Sequence, residues 1–340
     1  MSRPGPSSAG GPVVVVSPDS FKGTFTGREV ADQLAAGLRA GGIEELAVCP
    51  LADGGEGTLD ALLGRLGGEL HHATVRDPLG RPIDAVFGLT ADGRTAIVEV
   101  ARAVGLDLVG ADERDPEGAS TAGVGDLIVA AVRAGAREIL VGLGGSATTD
   151  GGVGAVDAIV ASGGLGAAGV VLLCDVSTPF ERAADVYGPQ KGADPAAVRR
   201  LGQRLDRLAI RLPRDPRGRP MTGAAGGLSG GLWAAFGAAL VPGAGFVLDR
   251  LDFDRLLIGA AAVVTGEGRL DEQTAAGKVV AEVAGRGLRS RVPVDAVVGC
   301  DALGPEAAAA IGLRSVREAG TRAALRSAGV ELAGVVAGRC

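Results

Sequence analysis

Carboxylates in this chain collect where apolar strand runs end. Asp19 follows VVVVS (13–17), Asp53 and Glu56 follow ELAVCP (45–50), and Asp175 follows VVLLC (170–174). Glu267 and Asp271 follow AAAVV (260–264), and Asp301 follows VDAVVG (294–299). In open α/β sheets ligands bind outside the carboxyl ends of strands. Acids gathered there suit a divalent cation or a general base. One acid at a wet strand end is ordinary, but the whole set points to a site. Its densest part is VVTGEGRLDEQTAAGK (263–278), where Glu267 and Asp271 stand among glycines with Arg269 between them. Unneutralised, the two acids repel and prefer water, so the loop is expected to order around a bound cation and phosphate. An ion pair with Arg269 is the plainer alternative.

Basic residues sharpen the reading. The chain carries 31 arginines and three lysines, with no asparagine. Lys22 (SFKGT), Lys191 (GPQKGA) and Lys278 (AAGKVV) each adjoin a glycine. A compact ammonium and a planar guanidinium are not interchangeable where one phosphate oxygen is contacted, so the three lysines are candidate phosphate groups. GGSATTDGG (144–152) and STAGVG (120–125) each set Ser/Thr and Gly ahead of a helical pattern, where free backbone N–H groups favour an anion. Ordinary caps and turns explain either loop equally well. GLGGSA (142–147) also fits a dinucleotide fingerprint, but Asp175 lies far beyond the ~20 residues at which that fingerprint places its acid. No Walker A loop is present.

Composition narrows the class. A net charge of −6 disfavours non-specific attraction to nucleic acid or anionic membrane. The four cysteines are scattered without metal or redox spacing, as in a reducing cytoplasm. His71 and His72 are adjacent and read as an exposed strand start, not a ligand pair. No apolar run reaches the ~18 residues of a membrane helix, and residues 1–12 read as a disordered tail without a signal-peptide core. Glycine is high, 58 of 340 residues against a usual ~7%, and it clusters at strand ends.

Strand runs alternate with helical patterns near 27–40, 57–67, 120–135, 195–211, 228–240, 275–288 and 322–337. This predicts an α/β fold with mainly parallel sheets. Short alternating runs over 72–100, split by LGRP and ADGR turns, read as an antiparallel meander and mark an inserted domain. RLPRDPRGRP (211–220) reads as a surface loop.

Six stretches then carry a resemblance: SPDSFKGTFTGREVA (17–31), PLADGGEGTLDAL (50–62), GLGGSATTDGG (142–152), YGPQKGA (187–193), GAAGGLSGGL (223–232) and VVTGEGRLDEQTAAGK (263–278). In this order they resemble the type I glycerate kinase family, glycerate 2-kinase-like. The resemblance implies a flavodoxin-like domain (13–68 with 246–340) bearing an inserted α/β domain (69–245), with the active site in the cleft between them. It implies ATP- and Mg²⁺-dependent phosphorylation of D-glycerate, to 2-phosphoglycerate, by a cytoplasmic monomer or homodimer. Asp19, Lys22, Glu267, Arg269, Asp271 and Lys278 are then the expected catalytic set, with Asp19 favoured as base and Arg269 on a carboxylate or phosphate. Asp175, Glu267 and Asp271 are the expected metal ligands. Ser20, Asp53, Gly54, Gly55, Glu56, Ser120, Gly144, Gly145, Ser146, Asp150, Lys191, Gln273 and Thr274 are expected to bind substrate or phosphate. Thr149 and Thr178 stand where the family has asparagine, and the inserted domain is shortened. A kinase of another hydroxy acid or polyol, a non-catalytic ligand-binding homologue and a dehydrogenase are the competing readings.

Overall fold

The computed structural model describes residues 13–275 and 277–338, so the tail expected over 1–12 lies outside the described residues. Its strands are β1 (Val13–Pro18), β2 (Leu46–Val48), β3 (Gly68–Arg76), β4 (Pro82–Thr90), β5 (Thr95–Glu99), β6 (Glu138–Gly142), β7 (Gly169–Cys174), β8 (Ala239–Pro242), β9 (Ala260–Glu267), β10 (Val294–Val298) and β11 (Leu313–Glu318). They form two sheets in two compact units which, among the described residues, are 13–51 with 252–338, and 52–251.

The first unit holds a five-stranded parallel sheet in the order β2-β1-β9-β10-β11. Counted in the unit's own chain order this is 2-1-3-4-5, the flavodoxin-like order, whose ligand-binding switch point lies between the first and third strands. Here those strands are β1 and β9. Helix Gly27–Ala40 begins with a reciprocal capping box between Thr26 and Glu29. It packs on helix Arg322–Ala337, where Gly37 and Gly329 allow close backbone approach, a Cβ on Gly37 falling 2.1 Å from the Arg326 carbonyl oxygen. Val14, Val16, Leu34, Leu38, Val264, Leu325 and Leu332 fill the core under this helix pair.

Backbone crowding also sets one residue inside the sheet. Gly266 pairs with Val297, and a Cβ there would lie 2.0 Å from the Val297 carbonyl oxygen. Overpacking a well-packed interior costs about 1–3 kcal/mol or more. Gly266→Ala is therefore expected to lower the thermal midpoint by several degrees, and an unchanged melting curve would refute the crowding argument.

The second unit holds a six-stranded mixed sheet, β3-β4-β5-β6-β7-β8. The runs over 72–100 form the antiparallel part, β3 to β5, and β5 to β8 are parallel. Helix Thr58–Leu66 packs on β4 and β5. Residues 52–68 and 246–251 thus group with this unit, not with the first domain as expected, and the boundaries fall at Leu51/Ala52 and Leu251/Asp252. The helix expected to 240 stops at Phe236, because Gly237 turns left-handed at φ +70°, and the next residues become β8.

Candidate active site

The first unit places its acids at the switch point. β1 and β9 run in register to Pro18↔Gly266, and the Asp19 N–H donates to the Gly266 carbonyl at 2.8 Å. Asp19 and Glu267 therefore leave adjacent parallel strands at the same level, and both are buried, 6% and 8% exposed. Asp19 Oδ1 accepts from the Ser20 N–H at 2.6 Å. Glu267 Oε1 accepts from the buried Thr274 hydroxyl at 2.6 Å. Gly268 lets this loop lie against the Phe21–Lys22 backbone, where a Cβ would sit 3.2 Å from Phe21 Cα. Lys22 itself is exposed.

Beyond Glu267 the loop is held by its own bonds. Gly299 N–H donates to the Glu267 carbonyl, Leu270 N–H to the Cys300 carbonyl, and Ala302 N–H to the Leu270 carbonyl. Asp271 N–H donates to Thr274 Oγ1 at 3.2 Å, and Asp271 Oδ1 accepts from the Gln273 N–H at 3.0 Å. Arg269 pairs with Asp271 at 3.5 Å, and Lys278 Nζ donates to Gln273 Oε1 at 3.3 Å. Protein hydrogen bonds and the Arg269–Asp271 pair, the plainer alternative, are thus present in this loop. Asp301 is likewise occupied, closing its own turn by accepting from the Leu303 and Gly304 N–H groups.

In the second unit, loop Asp53–Gly57 lies against the start of the Gly144–Ser146 loop. Asp53 Oδ1 accepts from the Gly55 N–H at 2.9 Å. A Cβ on Gly144 would lie 2.7 Å from Gly55 Cα, and one on Gly142 2.7 Å from the Gly54 carbonyl. These glycines answer a backbone-on-backbone contact, which removes the need for a dinucleotide explanation of GLGGSA. Gly145 is left-handed at φ +73°. Glu56 is exposed and Asp175 half-buried. Ser120 Oγ accepts from the Ala122 N–H at the start of a helix.

Two expected ligand groups of this unit are engaged inside the protein. Asp150, 2% exposed, accepts from the Thr121 N–H, the Thr121 hydroxyl, and the Gly152 and Gly154 N–H groups, all within 3.1 Å. It is a clamp between two helix starts, its oxygens already engaged where a substrate or phosphate contact was expected. Lys191 is buried, bonded to Ser146 and Thr148, and burial pushes its amine down to about 7. A direct phosphate contact by Lys191 is corrected on the same ground.

Sequence reasoning missed Thr121, the partner of Asp150, and Glu99, a buried acid that accepts from the Leu59 N–H and pairs with Arg102. The signal for Glu99 was a single acid closing the apolar run TAIVE. It also missed Ser17, whose hydroxyl is fully buried at the end of β1 without a hydrogen-bond partner, as are those of Thr148 and Thr149. Unsatisfied hydroxyls cost about 1–3 kcal/mol each, and these three flank the loops in question. Among the described residues no three His, Cys, Asp or Glu side chains are gathered into a ready metal cluster.

A family model described as the glycerate kinase family matches residues 14–163 and 161–328. The chain belongs to the glycerate kinase family. It is 36% identical over 330 residues to the glycerate kinase of Halalkalibacterium halodurans, covering 86% of this chain and 87% of that one. It is 35% identical over 322 residues to the glycerate 2-kinase of Escherichia coli K12, covering 84% of each. The crystal structure of a Salmonella typhimurium LT2 protein described as glycerate kinase 2 superposes with a TM-score of 0.80 at 35% identity, covering 96% of this chain and 99% of that one. Among the described residues no helix is long and apolar enough to cross a membrane.

Proposed function

We propose that the chain phosphorylates D-glycerate at O2 with ATP, giving 2-phosphoglycerate and ADP. The observation that carries this reading is the pair of buried carboxylates, Asp19 and Glu267, at the ends of adjacent strands β1 and β9 in a member of this family. Phosphoryl transfer is largely positioning and charge stabilisation, so it asks for a base, a metal site and cations for phosphate. The glycerate hydroxyl oxygen bonds to the γ-phosphorus, the bond from that phosphorus to the bridging oxygen of ADP breaks, and the hydroxyl proton passes to Asp19. Glu267 and Asp271 would hold Mg²⁺, which supplies charge neutralisation at the phosphate oxygens. Arg269 is exposed and only loosely paired at 3.5 Å, so it can turn to the glycerate carboxylate. Lys22, Lys278, Ser20 and Gln273 are proposed to serve phosphate. In the second unit the backbone of Asp53–Glu56 and Gly144–Ser146 is proposed to bind phosphate, and Asp175 to bind metal.

A coupled ADP-release assay against a panel of hydroxy acids, with the product identified by NMR, tests this directly. Turnover on D-glycerate of about 1–100 s⁻¹ is expected, dependent on Mg²⁺, with phosphate on O2. No ADP above background with glycerate would overturn the proposal. Phosphate on O3 would overturn the regiochemistry alone.

A further inference from the structure

The second unit buries an amine in a loop. Lys191 ends the tight turn Pro189–Lys191, which Gly192 closes in the left-handed region at φ +97°. Its Nζ donates to Ser146 Oγ at 2.9 Å and to the Thr148 carbonyl at 2.5 Å, both in the segment that follows β6. We propose that Lys191 is a positioning residue, whose buried amine fixes the Gly144–Asp150 loop in the conformation that receives nucleotide phosphates it does not itself touch. The proposal rests on the kinase reading above.

The other anchors of this segment are the Asp150 carboxylate clamp at its end and main-chain bonds. Leu106 N–H donates to the Gly145 carbonyl, Ala147 N–H to the Val104 carbonyl, and Gly151 N–H to the Gly226 carbonyl. Lys191 adds a side-chain tie to Ser146 and a second tie at Thr148, in the middle of the loop. With 2% of the residue exposed, a permanent charge here is costly. Burial accordingly pushes the amine down to about 7, with the nearby Asp150 opposing the shift. A neutral amine still has two N–H donors, enough for both bonds, so the clamp works in either protonation state. This accounts for a lysine in a chain that otherwise uses arginine for nearly every cation. A guanidinium cannot shed its proton in a protein, and its rigid fork does not fit a point contact.

The test uses the full chain without ligand. Hydrogen exchange is compared for wild type, Lys191→Met, which keeps the apolar stem and loses both donors, and Ser146→Ala, which removes one bond. The amides of residues 144–150 are expected to exchange at least about tenfold faster in Lys191→Met, and less so in Ser146→Ala, with β6 and β7 unchanged, since local opening and global unfolding are separable by this measurement. Calorimetry is expected to show Mg-ATP binding weakened about tenfold in Lys191→Met. Unchanged exchange in the loop, or equal acceleration in β6 and β7, would overturn the positioning role. Unchanged ATP affinity, or no ATP binding by wild type, would overturn the phosphate role. If Lys191→Met does not fold, Ser146→Ala carries both measurements. Neither readout needs glycerate turnover, so failure of the substrate assignment would be seen separately.

Discussion

Glu267→Gln is expected to reduce kcat by about 10²–10⁴, the range for losing a general base or a group that stabilises transition-state charge. The substitution is informative because the fold should survive it. Glu267 Oε1 accepts from the Thr274 hydroxyl at 2.6 Å, and a glutamine carbonyl accepts the same bond in the same volume. What disappears is the charge, at a position only 8% exposed beside the end of β1. Stability should therefore move by less than about 1 kcal/mol. Thr274→Val is the control, since it breaks the bond and keeps the carboxylate. A glutamine variant with kcat within tenfold of wild type would remove Glu267 from the chemistry. A loss of activity that merely tracks a loss of melting temperature would make it a structural acid. Asp19→Asn extends the test, because Oδ1 can still accept from the Ser20 N–H. If Asp19 takes the proton, its variant should lose the acid limb of the kcat–pH profile while the glutamine variant keeps it.

Asp150→Ala is expected to cost about 3–5 kcal/mol of stability, the scale of breaking a buried, hydrogen-bonded charge network. The carboxylate receives three backbone N–H groups and the Thr121 hydroxyl. Thr121 Oγ1 in turn accepts from the Ala155 N–H at 3.0 Å, so the network ties the start of helix Ala122–Arg133 to that of helix Val153–Ala161. Alanine leaves these donors buried and unpaired, and a Cβ on Gly154 would already sit 2.1 Å from Ser120 Oγ, so the segment has little room to relax. Urea unfolding checks the magnitude. A cost below about 1 kcal/mol would return Asp150 to the pool of ligand candidates.

Local pattern determined much of this protein. Helices Gly27–Ala40, Pro195–Arg211 and Arg322–Ala337 run to the bounds their periodicity and caps set, because a helix is specified by neighbours three and four residues apart. The alternation of strands and helices gave the α/β class, and the glycine-flanked acids at strand ends marked the loop after β9. Elements whose evidence was not local escaped. β11, LRSVRE, is a half-buried strand whose Arg314 pairs with the buried Asp295 of β10, and it looks like a strand only once β10 lies beside it. Only tertiary structure decided which acids do what. Pairing Val14 with Ala262 and Pro18 with Gly266 brings Asp19 to Glu267 from far apart in the chain, and no local signal encodes that register. Asp150 and Lys191 carry the same letters they would carry at a phosphate, yet one is saturated by helix-start donors and the other is sealed from water. Whether a charged side chain meets a ligand depends on which of its donors and acceptors the fold has already satisfied, and the deciding partners, Thr121 for Asp150 and Ser146 and Thr148 for Lys191, lie tens of residues away.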